Sequence, residues 1–122
     1  KVRVSLFIEP SVSAIEAAQS LKAPVVELHT GAWCDLITHG EAEKAAIEFE
    51  RLRTAAILAD KFGIEVHAGH GLDYDTARLI SAIPQIKELN IGHFLIGEAV
   101  FVGLDAAIAT MLASMAQGRQ HT

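Results

Sequence analysis

Four short apolar segments, residues 2–8, 25–29, 64–68 and 89–91, are separated by stretches with helical spacing, and that alternation most constrains the fold. In 2–8 a period of two places Val4, Leu6 and Ile8 on one face and Ser5 and Phe7 on the other. In 25–29, Val26 and Leu28 share a face while Glu27 and His29 share its opposite. The same split sets Val66 and Ala68 against Glu65 and His67, and Leu89 and Ile91 against Asn90. Strands alternating with helices predict a parallel sheet built from right-handed crossovers. An open doubly wound sheet would make both faces apolar, whereas here one face carries Ser5, Phe7, Glu27, His29, Glu65, His67 and Asn90. The expected fold class is therefore α/β, a (β/α)8 barrel of the TIM type whose interior becomes polar toward its mouth. Such a barrel typically takes about 250 residues, so 122 residues supply about four β/α units, half of it.

The connections can be read in order. Ser13 and Glu16 have capping-box spacing, and the helix they open is expected to reach about residue 21. Residues 33–40 show no clear period and read as a loop with a turn of helix, Trp33 acting as a lid over the core. Over 41–62, Ala45, Phe49, Leu52, Ala56 and Ala59 recur at steps of three and four, the mark of a long amphipathic helix that Gly63 stops. Asp73 caps a helix carrying Ala77, Leu79, Ile80 and Ile83, and Pro84 ends it. Residues 94–102 read as a short helical piece. A final helix from 104 to about 117 is expected to pack Leu104, Ile108, Met111, Leu112 and Met115 inward, with 118–122 fraying.

A chain 51% hydrophobic is one folded domain and not a disordered segment. Its net charge of -5, without a lysine or arginine cluster, argues against nucleic acid or an anionic membrane as partner. Any phosphate must be held locally. The longest apolar run, 99–115, is interrupted by Asp105 and falls short of a bilayer span. A single cysteine, Cys34, forms no internal disulfide and reads as an inert, half-buried thiol in a reducing cytoplasm. The start at Lys1, without methionine and directly before a strand, suggests that something upstream has been removed or lost.

In parallel α/β folds the site lies at the carboxyl ends of the strands. Those ends carry Glu9, then Glu27 with His29, then His70-Gly71, then Gly92-His93. A histidine alone reads first as a satisfied structural group, and His39 and His121 are left so. For His70 the flanking Gly69 and Gly71 strip away neighbouring side chains, leaving an imidazole able to exchange protons near neutral pH. His67, by its phase, is an interior packing or hydrogen-bonding residue. Glu27 points inward from a strand, where an unpaired carboxylate is costly, so it needs a cationic partner such as His29 or a functional reason. Gly92-His93, after the last strand and before a helix, can present backbone amides to an anion, or can be no more than a tight turn.

The segments Val4-Ser5-Leu6-Phe7-Ile8, Val26-Glu27-Leu28-His29-Thr30-Gly31, Ala68-Gly69-His70-Gly71-Leu72, Ile83-Pro84, Glu88-Leu89-Asn90-Ile91-Gly92-His93 and Ile96-Gly97 occur in this order. Together they resemble the second half of the pyridoxine 5'-phosphate synthase family. The resemblance implies that residues 1–122 are the C-terminal half of a single TIM-barrel domain in a cytoplasmic homo-octamer. It implies condensation of 1-deoxy-D-xylulose 5-phosphate with 3-amino-2-oxopropyl phosphate, giving pyridoxine 5'-phosphate with release of phosphate and water and using no metal or organic cofactor. It makes His70 the proton donor, Glu27 a group stabilising the transition state, and Gly71, Gly92 and His93 binders of the aminoketone phosphate. The family's first half, with its other acid-base groups, has no counterpart in these residues, so this chain alone is expected to be inactive.

Two other readings compete. One is a metal-dependent lyase or hydrolase with Glu27, His29, His67 and His70 as ligands, a chemically adequate zinc set. The other is a non-catalytic half-barrel that dimerises and binds a phosphorylated metabolite through Gly71, Gly92 and His93.

Overall fold

A computed structural model of the chain describes residues 2–120; Lys1, His121 and Thr122, with the expectations placed on them, lie outside the described residues. The elements in order are β1 (Ser5–Ile8), α1 (Val12–Ser20), β2 (Val25–His29), α2 (Gly31–Thr38), α3 (Ala42–Lys61), β3 (Glu65–Gly69), α4 (Tyr74–Ile80), β4 (Ile86–Asn90), α5 (His93–Val102) and α6 (Leu104–Arg119). The four strands form one sheet in the order β1-β2-β3-β4, every pair parallel. The fold is α/β.

The two faces separate as the period of two predicts. Leu6, Val26 and Val66 stand side by side, as do Ile8, Leu28, Ala68 and Leu89, and this face packs on the core. That core gathers Ile15, Leu28, Leu52, Val66, Ile80 and Ile86 between the sheet and the helices, with Ala55, Ala56 and Ala59 letting α3 lie close to β2 and β3. The opposite face aligns Phe7, Glu27, His67 and Glu88, and next to them His29, Gly69 and Asn90. Phe7 there is 52% exposed. Helices cover one face of the sheet only.

Local chemistry explains most boundaries. Ser11 is the cap of α1, its hydroxyl accepting the Ala14 N–H at 3.2 Å; Ser13, expected to cap, lies inside the helix. Asp73 caps α4 reciprocally with Thr76, each side chain bonding the other's backbone N–H at 2.8 Å. Gly63 follows α3 in a left-handed conformation, φ +75°.

Several expectations are corrected. Residues 33–40 are not a loop: α2 starts at Gly31 and occupies Gly31–Thr38. Trp33 and Cys34 on α2 are buried, and Trp33 is a core residue whose ring lies tilted against that of Phe49 on α3, centroids 5.5 Å apart. Strand β1 is shorter than expected, and Val4 is exposed. Strand β4 begins at Ile86 because a bulge leaves Lys87 out of the pairing, so Ile86 faces the helices beside Val66 while Glu88 lies beside His67. The inner face of α6 is Ala107, Met111 and Gly118, and Leu104, Ile108 and Leu112 are exposed. Its end does not fray within the described residues: the Arg119 guanidinium donates to the carbonyls of Ile83 at 2.9 Å and Ile86 at 2.5 Å. No described helix is long and apolar enough to cross a membrane.

Candidate active site

Each strand ends at the same edge of the sheet, and the residues following β3 and β4 meet the polar face there. Between them lies a cleft of about 730 Å³, bordered by Glu27, His70, Gly71, Leu72, Asp73, Asn90, Ile91, Gly92, His93 and Phe94. This volume falls in the range of small-molecule pockets. All five residues singled out from the sequence, Glu27, His70, Gly71, Gly92 and His93, border it, although they come from three different strand ends. Asp73 and Asn90 also border the cleft. Sequence reading gave Asp73 only a capping role and treated Asn90 only as a member of the polar face.

His70 has a backbone φ of +86° and Gly71 one of +82°. A left-handed conformation is rare outside glycine and costs on the order of 1–3 kcal/mol, so it persists only where surroundings enforce it. Thr30 supplies much of that enforcement. Fully buried, it donates its hydroxyl to the carbonyls of His70 at 2.6 Å and Gly69 at 2.8 Å, and its N–H bonds the Gly69 carbonyl at 2.9 Å. The turn throws the His70 side chain out of the sheet, where it is exposed to the cleft.

Gly69 has a separate function. A Cβ on it would collide with Oε1 of Glu27 and lie 2.8 Å from the Asn90 carbonyl. A glycine here thus leaves the space that the Glu27 carboxylate occupies. The neighbour of Glu27 expected to pair with it, His29, is engaged elsewhere. Its Nδ1 accepts the Gly31 N–H at 2.9 Å, and its ring lies 4.8 Å from that of Phe7 and 4.6 Å from that of His70.

Gly92 opens α5 with no side-chain cap, so the first amides of the helix have no partner within it. No protein atom lies within 4 Å of a Cβ built on Gly92; the space beside it is open. The first turn of α5 is fixed against α4 by the edge-to-face pair Tyr74–Phe94 at 4.8 Å. That contact brings the start of α5, and with it His93, toward the loop carrying His70 and Gly71.

Deeper on the polar face, His67 is buried, with Nε2 2.7 Å from Oε1 of Glu65 and Nδ1 3.7 Å from Oε1 of Glu88. Arg3 bonds the other Glu65 oxygen at 2.8 Å, and Arg3 first, then His67, hold the Glu65 carboxyl below its ordinary range. His67 is thereby a structural residue, as its strand phase suggested. The proposed metal set does not assemble: His67 and His29 are committed to these partners, and among the described residues no three His, Cys, Asp or Glu side chains converge as a metal site.

Comparison with known proteins adds a second line of information. Residues 1–117 match the family described as pyridoxal phosphate biosynthesis protein PdxJ. Curated relatives named pyridoxine 5'-phosphate synthase are 62% identical over 118 residues in Xanthobacter autotrophicus, 57% over 118 residues in Rhodopseudomonas palustris and 55% over 120 residues in Bradyrhizobium diazoefficiens. These alignments take in 97–98% of this chain and 46–48% of the relatives. The chain thus spans about half the length of the curated relatives it matches.

Proposed function

Because the chain belongs to the PdxJ family of pyridoxal phosphate biosynthesis proteins, we propose that it forms one half of the barrel, and one side of the active site, of a pyridoxine 5'-phosphate synthase. The reaction is the condensation of 1-deoxy-D-xylulose 5-phosphate with 3-amino-2-oxopropyl phosphate. In this reading residues 1–122 contribute the last four β/α units of a (β/α)8 domain, and the protein assembles as a homo-octamer in the cytoplasm. The argument for the barrel is physical. Parallel sheets are normally covered on both faces, and here the second face carries Glu27, His67 and Glu88, which helices could not cover without stranding charge. Closure of the sheet on itself gives that face a lined interior instead.

The observation that carries the reading is the single cleft shared by Glu27, His70, Gly71, Gly92 and His93. Joining an aminoketone to a pentulose and closing the ring with loss of water and phosphate requires protons to be given and taken at several oxygens and carbons. His70, exposed on a backbone held rigid by Thr30, is placed to give a proton to a leaving oxygen. Glu27 on β2 borders the same cleft and offers negative charge to cationic character developing on the amine-derived nitrogen. The first amides of α5, with Gly71 and His93, hold the aminoketone phosphate, and fixing it there would orient the amine for attack.

The test uses a full-length protein in which this chain replaces the matching part of the Xanthobacter relative, assayed with both substrates. The parent chimera should turn over, and His70→Asn should lower kcat by about a hundredfold or more with the fold retained by circular dichroism. An inactive but folded chimera, or an active His70→Asn variant, would overturn the assignment.

A further inference from the structure

We propose that His29 is a positioning residue for His70, held as the neutral imidazole with its proton on Nε2. The inference deepens the reading of His70 as proton donor and rests on it.

The tautomer follows from one contact. The backbone N–H of Gly31 points at Nδ1 of His29 at 2.9 Å, and a backbone N–H can only donate. Nδ1 must therefore present its lone pair, which puts the proton of the neutral ring on Nε2. Protonating His29 would place an N–H against the Gly31 N–H and lose that bond. It would also place a charge beside His70, whose ring centroid is 4.6 Å away.

Packing fixes the ring as firmly as the bond does. Phe7 stacks on His29 at 4.8 Å with planes 17° apart, and His70 lies tilted at 48° on it. The residue at 31 must be small for this arrangement, because a Cβ there would collide with Cε1 of His29 and lie 2.8 Å from Cδ2 of His70. Three consecutive residues thus hold one: His29 sets the ring of His70, Thr30 its backbone, and Gly31 both the tautomer of His29 and the room for the two rings. Among the described residues, the ionisable groups around this pair are Glu27 from β2, Asp73 ahead of α4 and His93 from the start of α5, which border the same cleft as His70, and Cys34 from α2, whose sulfur lies against the His70 carbonyl; β1 contributes the uncharged Phe7.

The experiment uses the same full-length chimera with nitrogen-labelled histidine, the two ring signals being assigned by their loss in His29→Phe and His70→Asn. Long-range proton–nitrogen spectra should show His29 as the Nε2–H tautomer at neutral pH, with Nδ1 carrying the lone pair. A His29 ring protonated at Nδ1 at neutral pH overturns the proposal, whatever the enzyme's activity. In kinetics, His29→Ala should lower kcat by about ten- to a hundredfold with little change in KM, and shift the pH profile. His29→Phe, which keeps a stacked ring, should recover activity to within about threefold of the parent. A folded His29→Ala variant with the parent's kcat and pH profile overturns the positioning role. If His70→Asn proves active while the His29 tautomer is as stated, the reading of His70 fails and the tautomer assignment stands.

Discussion

Cys34 lies behind the turn that presents His70, its sulfur 3.9 Å from the His70 carbonyl, and it is 5% exposed. Burial pushes its thiol from the ordinary 9.0 up to about 11, the hydroxyls of Thr76 and Thr30 opposing the shift and Asp73 and Asp35 adding to it. At about pH 8 the folded protein should react with iodoacetamide roughly a hundredfold more slowly than the unfolded chain, since the thiolate is the nucleophile. A folded-state rate equal to the unfolded one would contradict this. The same shift has a sign for stability. The unfolded chain loses the thiol proton first, so this contribution is complete below 9.0 and disappears as pH rises toward 11. At this scale the sequence was informative about which side chains reach the cleft, because residues 69–71 place two glycines around a histidine and Gly92-His93 follows a strand. It was silent on how they are held. The clamp by Thr30 and the stacking of His29 join residues about 40 positions apart, and no local pattern records such a contact.

Among the elements, the expectation failed where tertiary packing overrode local period. Residues 31–38 form α2 although they lack a cap and begin with glycine, because Trp33 and Cys34 anchor them in the core. On α6 Met111 is buried as expected, but Leu104, Ile108 and Leu112 are exposed, since the buried line runs through Ala107 and Gly118, where the helix backbone crosses α4 at close range. A Cβ at that position would overlap the carbonyl oxygen of Arg78 and lie 3.1 Å from Cβ of Ser81. Alanine favours a helix over glycine by about 1 kcal/mol, but backbone cannot move aside as a flexible side chain can, and overpacking costs about 1–3 kcal/mol. Gly118→Ala should therefore lower the urea midpoint with an unchanged slope; a higher midpoint would mean that α6 does not cross α4 so closely. On the sheet, Glu65 is held below its ordinary 4.5 by Arg3 and His67. A depressed carboxyl favours folding above its unfolded pKa and loses that effect as pH falls through the folded value. Thermal midpoints of Glu65→Gln between about pH 6 and pH 3 should fall less steeply than those of the parent, and parallel curves would remove the carboxylate from the account.

For the whole molecule, the alternation of strands and helices and the split between apolar and polar faces were legible from 122 residues, and with them the parallel order of the sheet. What the polar face does follows from what it lacks here. Its outer strands β1 and β4 each pair on one side only, Phe7 stands exposed on the polar face, and Phe101 and Leu104 are exposed on α5 and α6, Phe101 at 85%. Unpaired edges and contiguous apolar surface favour association. Glu27, His70 and Gly92 also approach the cleft from three neighbouring strand ends, leaving its far side to other groups. The isolated chain of 122 residues should therefore self-associate in sedimentation velocity and show no turnover with the two phosphorylated substrates. The same chain joined to the N-terminal part of the Xanthobacter relative should lose that concentration-dependent association through open edges and gain turnover together. The coupling of the two results is the point of the experiment. On the proposed half-barrel, open edges and a half-lined cleft have one structural cause, so closing the sheet must change both. A discrete monomer of the isolated chain with turnover equal to the chimera would show that the four strands suffice, and would remove the barrel from the account of this site.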